Sequence, residues 1–236
     1  MARVAARNAA VLCGARNLSG RSNNVGLTWT AEAPEITCFG AVNRERLPGG
    51  ITDTELSVDG FYDAAASTMD EVLSALMGAS AFWGVFPEGA TTCNRGRDFT
   101  GILTNYSISV AVADAVGVSE TVSGCSPILD VRVLASGSTE SSGSAAGVGV
   151  DFGGSTAGST YSLLRLLANA GAGAQIAASL QDATNDSTWV TLAEYTTASF
   201  GNTLVLLITG SAARYRRFKY NITGSVGLVV TCGSVA

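Results

Sequence analysis

The sequence predicts a mainly β protein: a β-sandwich with one flanking α-helix, followed by a second, smaller β-sandwich. Three observations carry this. Apolar and polar residues alternate with period two in many short runs, as strands with one wet face require. The composition is rich in Gly, Ser, Thr, Val and Ala and poor in Lys and Glu, which favours pleated structure over helices. A single short segment, 68–77, carries a helical period.

The elements follow in order. Residues 1–7 read as a short basic arm, either mobile or docked on a neighbour. Asn8 to Cys13 reads as a strand, and Gly14 with Asn17 to Gly20 as a turn. Val25, Leu27 and Trp29 alternate with Gly26, Thr28 and Thr30 in a second strand. A short strand at Ile36 to Phe39 precedes a loop holding Arg44, Glu45 and Arg46, and Pro48-Gly49-Gly50 turns the chain. From Thr52 to Tyr62 the alternation is strict: Thr54, Leu56 and Val58 take the core face, and Asp53, Glu55, Ser57 and Asp59 the other. Thr68 with Glu71 forms a capping box, and Met69, Val72, Leu73, Leu76 and Met77 form the buried stripe of a helix that Gly78 ends. An aromatic strand (Phe82 to Phe86), a turn at Pro87-Glu88-Gly89, a long strand from Phe99 to Val112 and a last one from Val116 to Ser123 complete the first domain.

Ile128 to Leu134 alternates and bridges the halves. Residues 135–149 collapse to Ser, Gly, Thr and Ala, the composition of a flexible linker. The expected organisation is therefore a domain at 1–134, a linker at 135–149 and a sandwich domain at 150–236. In the last, strands are expected at Ser162–Ala168, Gln175–Gln181, Thr188–Tyr195, Leu204–Thr209, Arg214–Ile222 and Val226–Cys232, with turn residues between them.

Composition bounds the function. With 47% hydrophobic and 14% charged residues the chain has ample core and sparse surface charge, which favours a surface covered by neighbours. Residues 1–130 hold eight arginines against fourteen carboxylates, an acidic half that opposes tight binding of phosphates. The five cysteines (Cys13, Cys38, Cys93, Cys125 and Cys232) have neither disulfide nor zinc spacing and read as small buried hydrophobes. The longest aliphatic run, Leu204 to Ile208, is too short to span a bilayer, so no membrane insertion is expected. The N-terminus lacks an apolar secretory segment, and synthesis and assembly in the cytoplasm are expected.

Catalytic chemistry is sparse. There is no histidine, which removes Ser-His-Asp and Cys-His catalysis and the commonest zinc sites. Lys219, the only lysine, sits in a strand pattern with no phosphate loop before it. No enzyme activity, cofactor or metal is expected. Asp53, Glu55 and Asp59 share a face that suits either paired-carboxylate glycoside hydrolysis or simple solvation. Arg214, Arg216, Arg217 and Lys219, interleaved with Tyr215, Phe218 and Tyr220, read either as a weak surface-binding cluster for nucleic acid, polyanions or glycans, or as a strand whose basic stems cover apolar surface. Trp189, Tyr195 and Phe200 suit either a sugar site or the core.

The order Val58-Asp59-Gly60-Phe61-Tyr62-Asp63, short helix, Phe86-Pro87-Glu88-Gly89, then Phe99-Thr100-Gly101-Ile102-Leu103-Thr104-Asn105-Tyr106 resembles the major tail (tube) proteins of long-tailed bacteriophages. Ala9 to Gly20 and Ile36 to Gly40 are similar to that family's N-terminal strands, so the resemblance covers about residues 8–125. It implies a tail-tube-type sandwich in a virion, six subunits to a ring and rings stacked into a hollow tube. The tube conducts double-stranded DNA into the host without binding it. Tape-measure, distal-tail and terminator proteins would be its partners. Asp53, Glu55 and Asp59 would then line an acidic lumen, and Arg44, Glu45 and Arg46 would lie in a ring-to-ring contact loop. The second domain is similar to sandwich modules appended to phage virion proteins, and would decorate the exterior with weak glycan contact at the host surface. The competing class is a glycan-binding, adhesin-like protein that forms no tube.

Overall fold

The computed structural model describes residues 8–40, 42–47, 49, 51–63, 69–110, 115–140, 143–155, 158–167, 175–198, 203–208, 211–224 and 226–234. The expected N-cap Thr68, the arm at 1–7, Pro48 and Gly50 of the expected turn, and Phe200 lie outside them. The described residues are mainly strand, with one short helix: β1 (Ala10–Cys13), β2 (Arg16–Asn17), β3 (Ser22–Ala31), β4 (Thr52–Phe61), α1 (Met69–Leu76), β5 (Ser80–Phe86), β6 (Arg95–Ser109), β7 (Gly117–Gly124), β8 (Leu129–Glu140), β9 (Gly143–Ala146), β10 (Val150–Asp151), β11 (Thr160–Leu167), β12 (Gln175–Ala183), β13 (Val190–Ala198), β14 (Thr203–Ile208), β15 (Tyr215–Thr223) and β16 (Val226–Ser234). The mainly β, sandwich-forming reading of the sequence is the observed fold class.

Two compact units emerge, and neither is a contiguous stretch of chain. One comprises residues 1–20, 82–98 and 129–236; the other comprises 21–81 and 99–128. The division differs from one at a 135–149 linker. Residues 135–140 complete β8, which pairs with β16 from Asp130↔Ser234 to Glu140↔Val226, and β9 joins the edge of β15. Small Ser, Gly and Ala residues serve an edge strand as readily as a tether, so composition alone does not separate the two.

The second unit is a four-stranded antiparallel sheet in the order β3-β4-β7-β6, carrying α1. Leu56 and Val58 of β4, Val118 and Val122 of β7 and Leu103 of β6 are buried, as is Leu73 of α1. The helix is tied to β6 where the Gly78 amide donates to the Leu103 carbonyl, and Gly78 adopts φ 74°, the left-handed turn that ends the helix without a Cβ clash. Met77, expected in the buried stripe, is 47% exposed: the helix ends at Leu76, and Met77 instead forms a β-bridge with Leu103.

The first unit contains a sandwich. One layer is β14-β11-β16-β8; the other is the five-stranded sheet in which β15 and β12 are central and β9, β10 and β13 flank them. Leu164, Leu166, Leu228, Val230 and Cys232 face Ile176, Leu180, Phe218 and Ile222 across the core. A second cluster, with Leu12, Phe86, Val131, Val133 and Val229, packs against the opposite face of the first layer. That is why β11 is buried nearly throughout rather than alternating. Of the five cysteines Cys13 and Cys232 are buried, whereas Cys38, Cys93 and Cys125 are exposed, contrary to the expectation of buried hydrophobes, because all three sit in turns or loops.

Candidate functional site

The outer face of the four-stranded sheet follows from the period of β4. Asp53 and Glu55 are exposed and Asp59 is half-buried, while Thr54, Leu56 and Val58 point inward. Cross-strand pairing extends this row by row: Asn24–Asp59–Ser119–Ser107, Gly26–Ser57–Thr121–Asn105 and Thr28–Glu55–Ser123. Short hydroxyls and amides surround the three carboxylates, and no Arg or Lys occupies any of these positions. Ser119 first and Asn24 second donate hydrogen bonds that hold the Asp59 carboxyl below its ordinary range, with Asn24 Nδ2 at 2.9 Å. The charges spread over about 20 Å of strand, the rise of six residues. Among the described residues these rows are acidic and hydroxylated and hold no cation, with Ile102 of β6 beside Ser123 as the apolar end of the last row.

Beyond Ala31 and Thr52, β3 and β4 continue as a two-stranded arm. The Glu32 amide donates to the Ile51 carbonyl, Leu47 to Pro34, and Ile36 to Glu45, each within 3.0 Å. Glu35 bridges Arg46 in the same ladder. Arg44, Glu45 and Arg46 thus lie on the returning side of the arm near its tip, with Arg44 3.8 Å from Glu35. Trp29, Ile36, Phe39, Val42, Leu47 and Ile51 all expose large apolar surface, Phe39 and Val42 almost completely. Their spacing has no helical or strand period, so nothing in the sequence flagged them as one surface.

The basic strand β15 does not present its cations as one patch. Alternation sends Arg216 into the core, where its guanidinium lies 4.3 Å from the Phe152 ring centre. Arg214 makes a two-pronged pair with Asp151 at 2.7 and 2.6 Å, which holds the Asp151 carboxyl down at about 2. Arg217 donates to Gln181 at 2.9 Å and stacks 4.2 Å from the Trp189 ring. Lys219 is exposed. Tyr195 belongs to the core, where it packs edge-on against Phe218.

Two buried carboxylates had no signal in the sequence. Asp98 accepts both terminal nitrogens of Arg165, at 2.8 and 3.3 Å, and the Thr231 hydroxyl at 2.5 Å. Gly84 makes room for this pair: a Cβ there would stand 2.5 Å from Asp98 Oδ1. Glu120, opposite Val58 and Tyr106 on the core face of β7, has no hydrogen-bond partner for either carboxylate oxygen. Desolvation first, and the Asp59 charge second, push its carboxyl up to about 8. Nearby, Asp70 of α1 accepts the hydroxyls of Tyr106 at 2.8 Å and Tyr62 at 3.3 Å. Among the described residues no cluster of His, Cys, Asp and Glu is arranged to hold a metal ion. No helix among them is long and apolar enough to cross a membrane.

No family model matches the chain, and no curated protein is similar to it in sequence. Among solved structures, a chain from the virion of a native gene transfer agent particle is similar over 47% of this chain and 84% of its own, with 15% identity and a TM-score of 0.40. A chain from the tail of an empty gene transfer agent particle, of C6 symmetry, is similar over 46% and 80%, with 13% identity and a TM-score of 0.39. The SPP1 Dit protein, described as a paradigm of the hub adsorption apparatus in phages infecting Gram-positive hosts, is similar over 95% and 98%, with 11% identity and a TM-score of 0.39. At this distance the likenesses carry no functional weight, and the reading rests on the residues themselves.

Proposed function

We propose that this chain is a structural, non-enzymatic subunit of a virion tail of the long-tailed phage type, in which six copies form a ring and rings stack into a tube. The observation that carries the reading is the β3–β4 arm. It exposes five large apolar side chains along its length (Ile36, Phe39, Val42, Leu47 and Ile51), with Trp29 at the adjoining end of β3, and apolar surface so arranged is stabilised by covering it with another copy. The strand β3 has β4 as its only strand partner among the described residues, so its other edge suits pairing with a neighbour as a ring closes.

In this reading Arg44, Glu45 and Arg46 sit at the ring-to-ring contact. The face bearing Asp53, Glu55 and Asp59 lines the lumen, where carboxylates and hydroxyls repel a passing duplex instead of holding it. Tape-measure, distal-tail and terminator proteins cap and fill the tube, the sandwich of the first unit decorates the particle, and assembly takes place in the host cytoplasm. Negative-stain electron microscopy across a concentration series tests it. Wild-type protein is expected to form rings or tubes, and a Phe39→Ser/Val42→Ser variant discrete small particles with an unchanged circular dichroism spectrum. Wild-type protein that stays monomeric throughout, even with tail-initiation proteins present, overturns the reading.

A further inference from the structure

The outer face of the five-stranded sheet carries a trough of about 270 Å³ that the tail reading does not use. Its floor is the outward face of β12, where Ala177 and Ser179 are small. Ser179 lies directly between Lys219 on β15 and Glu194 on β13 in the cross-strand register. With strands about 4.8 Å apart, the two charged stems rise about 10 Å from each other. Neither has an ion-pair partner among the described residues. Two bulges each give β13 an extra residue against β12, between Ile176 and Ala178 and between Leu180 and Gln181. Bulges bend and twist the strand that carries them, and Glu194 lies between the two.

The polar groups are arranged before any ligand arrives. Gln181 accepts Arg217 Nε at 2.9 Å and donates to the Thr191 hydroxyl at 3.3 Å, so both of its ends are fixed. Asn221 lines the trough beyond Lys219. Across about 10 Å the surface therefore offers an ammonium with donors only, a hydroxyl that does both, and a carboxylate with acceptors only. Its two charges cancel. A sulfated or phosphorylated polymer would meet the Glu194 carboxylate, and the arginines nearby are held by Asp151, by Phe152 and by Gln181 with Trp189. The volume lies below the about 300–1,000 Å³ of sites for drug-sized ligands, so the trough takes a small polar ring.

We propose that this trough is a binding site for one residue of a neutral glycan, whose adjacent hydroxyls both donate and accept. Lys219 and Glu194 grip opposite sides of the sugar ring above Ser179. The site stands independently of ring or tube formation, since the chain need not assemble to present it. Repetition of the subunit in a particle would multiply a weak single-site affinity.

Saturation-transfer difference NMR on the full-length protein tests this, with glucose, galactose, N-acetylglucosamine and rhamnose as probes and a heparin oligosaccharide as the anionic control. At least one neutral sugar is expected to give saturable transfer, with none from heparin. Ser179→Tyr, which fills the floor with a residue suited to an exposed strand, is expected to abolish it. Glu194→Gln, which keeps the shape and removes the charge, is expected to weaken it about ten-fold. The absence of transfer from all four sugars overturns the proposal, as does transfer that survives both substitutions or a preference for heparin. Thermal melting of the two variants separates loss of the site from loss of the fold.

Discussion

Asp98 and Glu120 are both carboxylic acids with 1% of their surface exposed, yet the molecule deals with them in opposite ways. Asp98 is compensated: a fully buried guanidinium grips both of its oxygens, and a threonine hydroxyl adds a third bond. Glu120 has no such partner, and the medium around it favours the neutral acid. The first arrangement keeps two charges inside by making them satisfy each other; the second removes the charge instead. The difference is one of topology. Asp98, Arg165, Thr231 and Gly84 come from four strands of one unit, whereas Glu120 looks across its sheet at Val58 and Tyr106.

The largest expected effect comes from breaking the compensated pair. Arg165→Ala leaves Asp98 buried and alone, and should cost about 3–5 kcal/mol, read as a fall in melting temperature of roughly 6–20 °C. Asp98→Ala with Arg165→Leu removes both charges and should recover most of that loss. A double variant no more stable than Arg165→Ala would show that packing around the guanidinium, rather than the unpaired charge, sets the cost.

Glu120 sharpens the contrast through pH. Its folded pKa is raised, so between an ordinary carboxylate value and about 8 the folded state holds a proton that the unfolded state has released. Stability should therefore be highest below about pH 4.5 as far as this group is concerned, fall as pH rises to about 8, and level off above it. Asp59 and Tyr106 are the groups coupled to it, and Asp59 stays ionised across this window because its own pKa is lowered. The drop is on the order of a few kcal/mol. Glu120→Gln should flatten it, seen as a melting temperature with a smaller slope between pH 5 and 8. An unchanged slope would assign the pH dependence to other groups.

The smallest effect concerns the hydroxyls that share Asp70. Tyr106→Phe deletes one hydrogen bond at a partly exposed carboxylate and should destabilise by about 1 kcal/mol or less. Amide hydrogen exchange in α1 is the sensitive readout, because Asp70 lies in its first turn. Unaltered exchange there would mean that the bond does not hold the helix to β6.

Much of this architecture was legible in residue order. The strict alternation from Thr52 to Phe61 set which side chains of β4 face water, and Asp53, Glu55 and Asp59 lie on that face. The six strands expected after residue 150 all form, and their ends fall within two residues of expectation except that β13 runs three residues past Tyr195; β9 and β10 had no counterpart in the expected set. The basic strand was half legible. Its cations alternate, yet only packing could show that Arg216 turns inward onto Phe152 while Arg214 and Arg217 bind their own neighbours.

Local periodicity by itself determined the class of fold, the place of the one described helix and the wet face of β4, because strand and helix periods are written in neighbouring residues. Only the tertiary structure decided which strands share a unit. It joined residues 10–13 and 82–98 to 129–236, placed 135–140 and 143–146 of the expected tether in paired strands, and brought Asp98 to Arg165 across 67 positions. Those outcomes depend on which edges and charges find each other after the chain collapses. Period and composition carry no record of partners so far away.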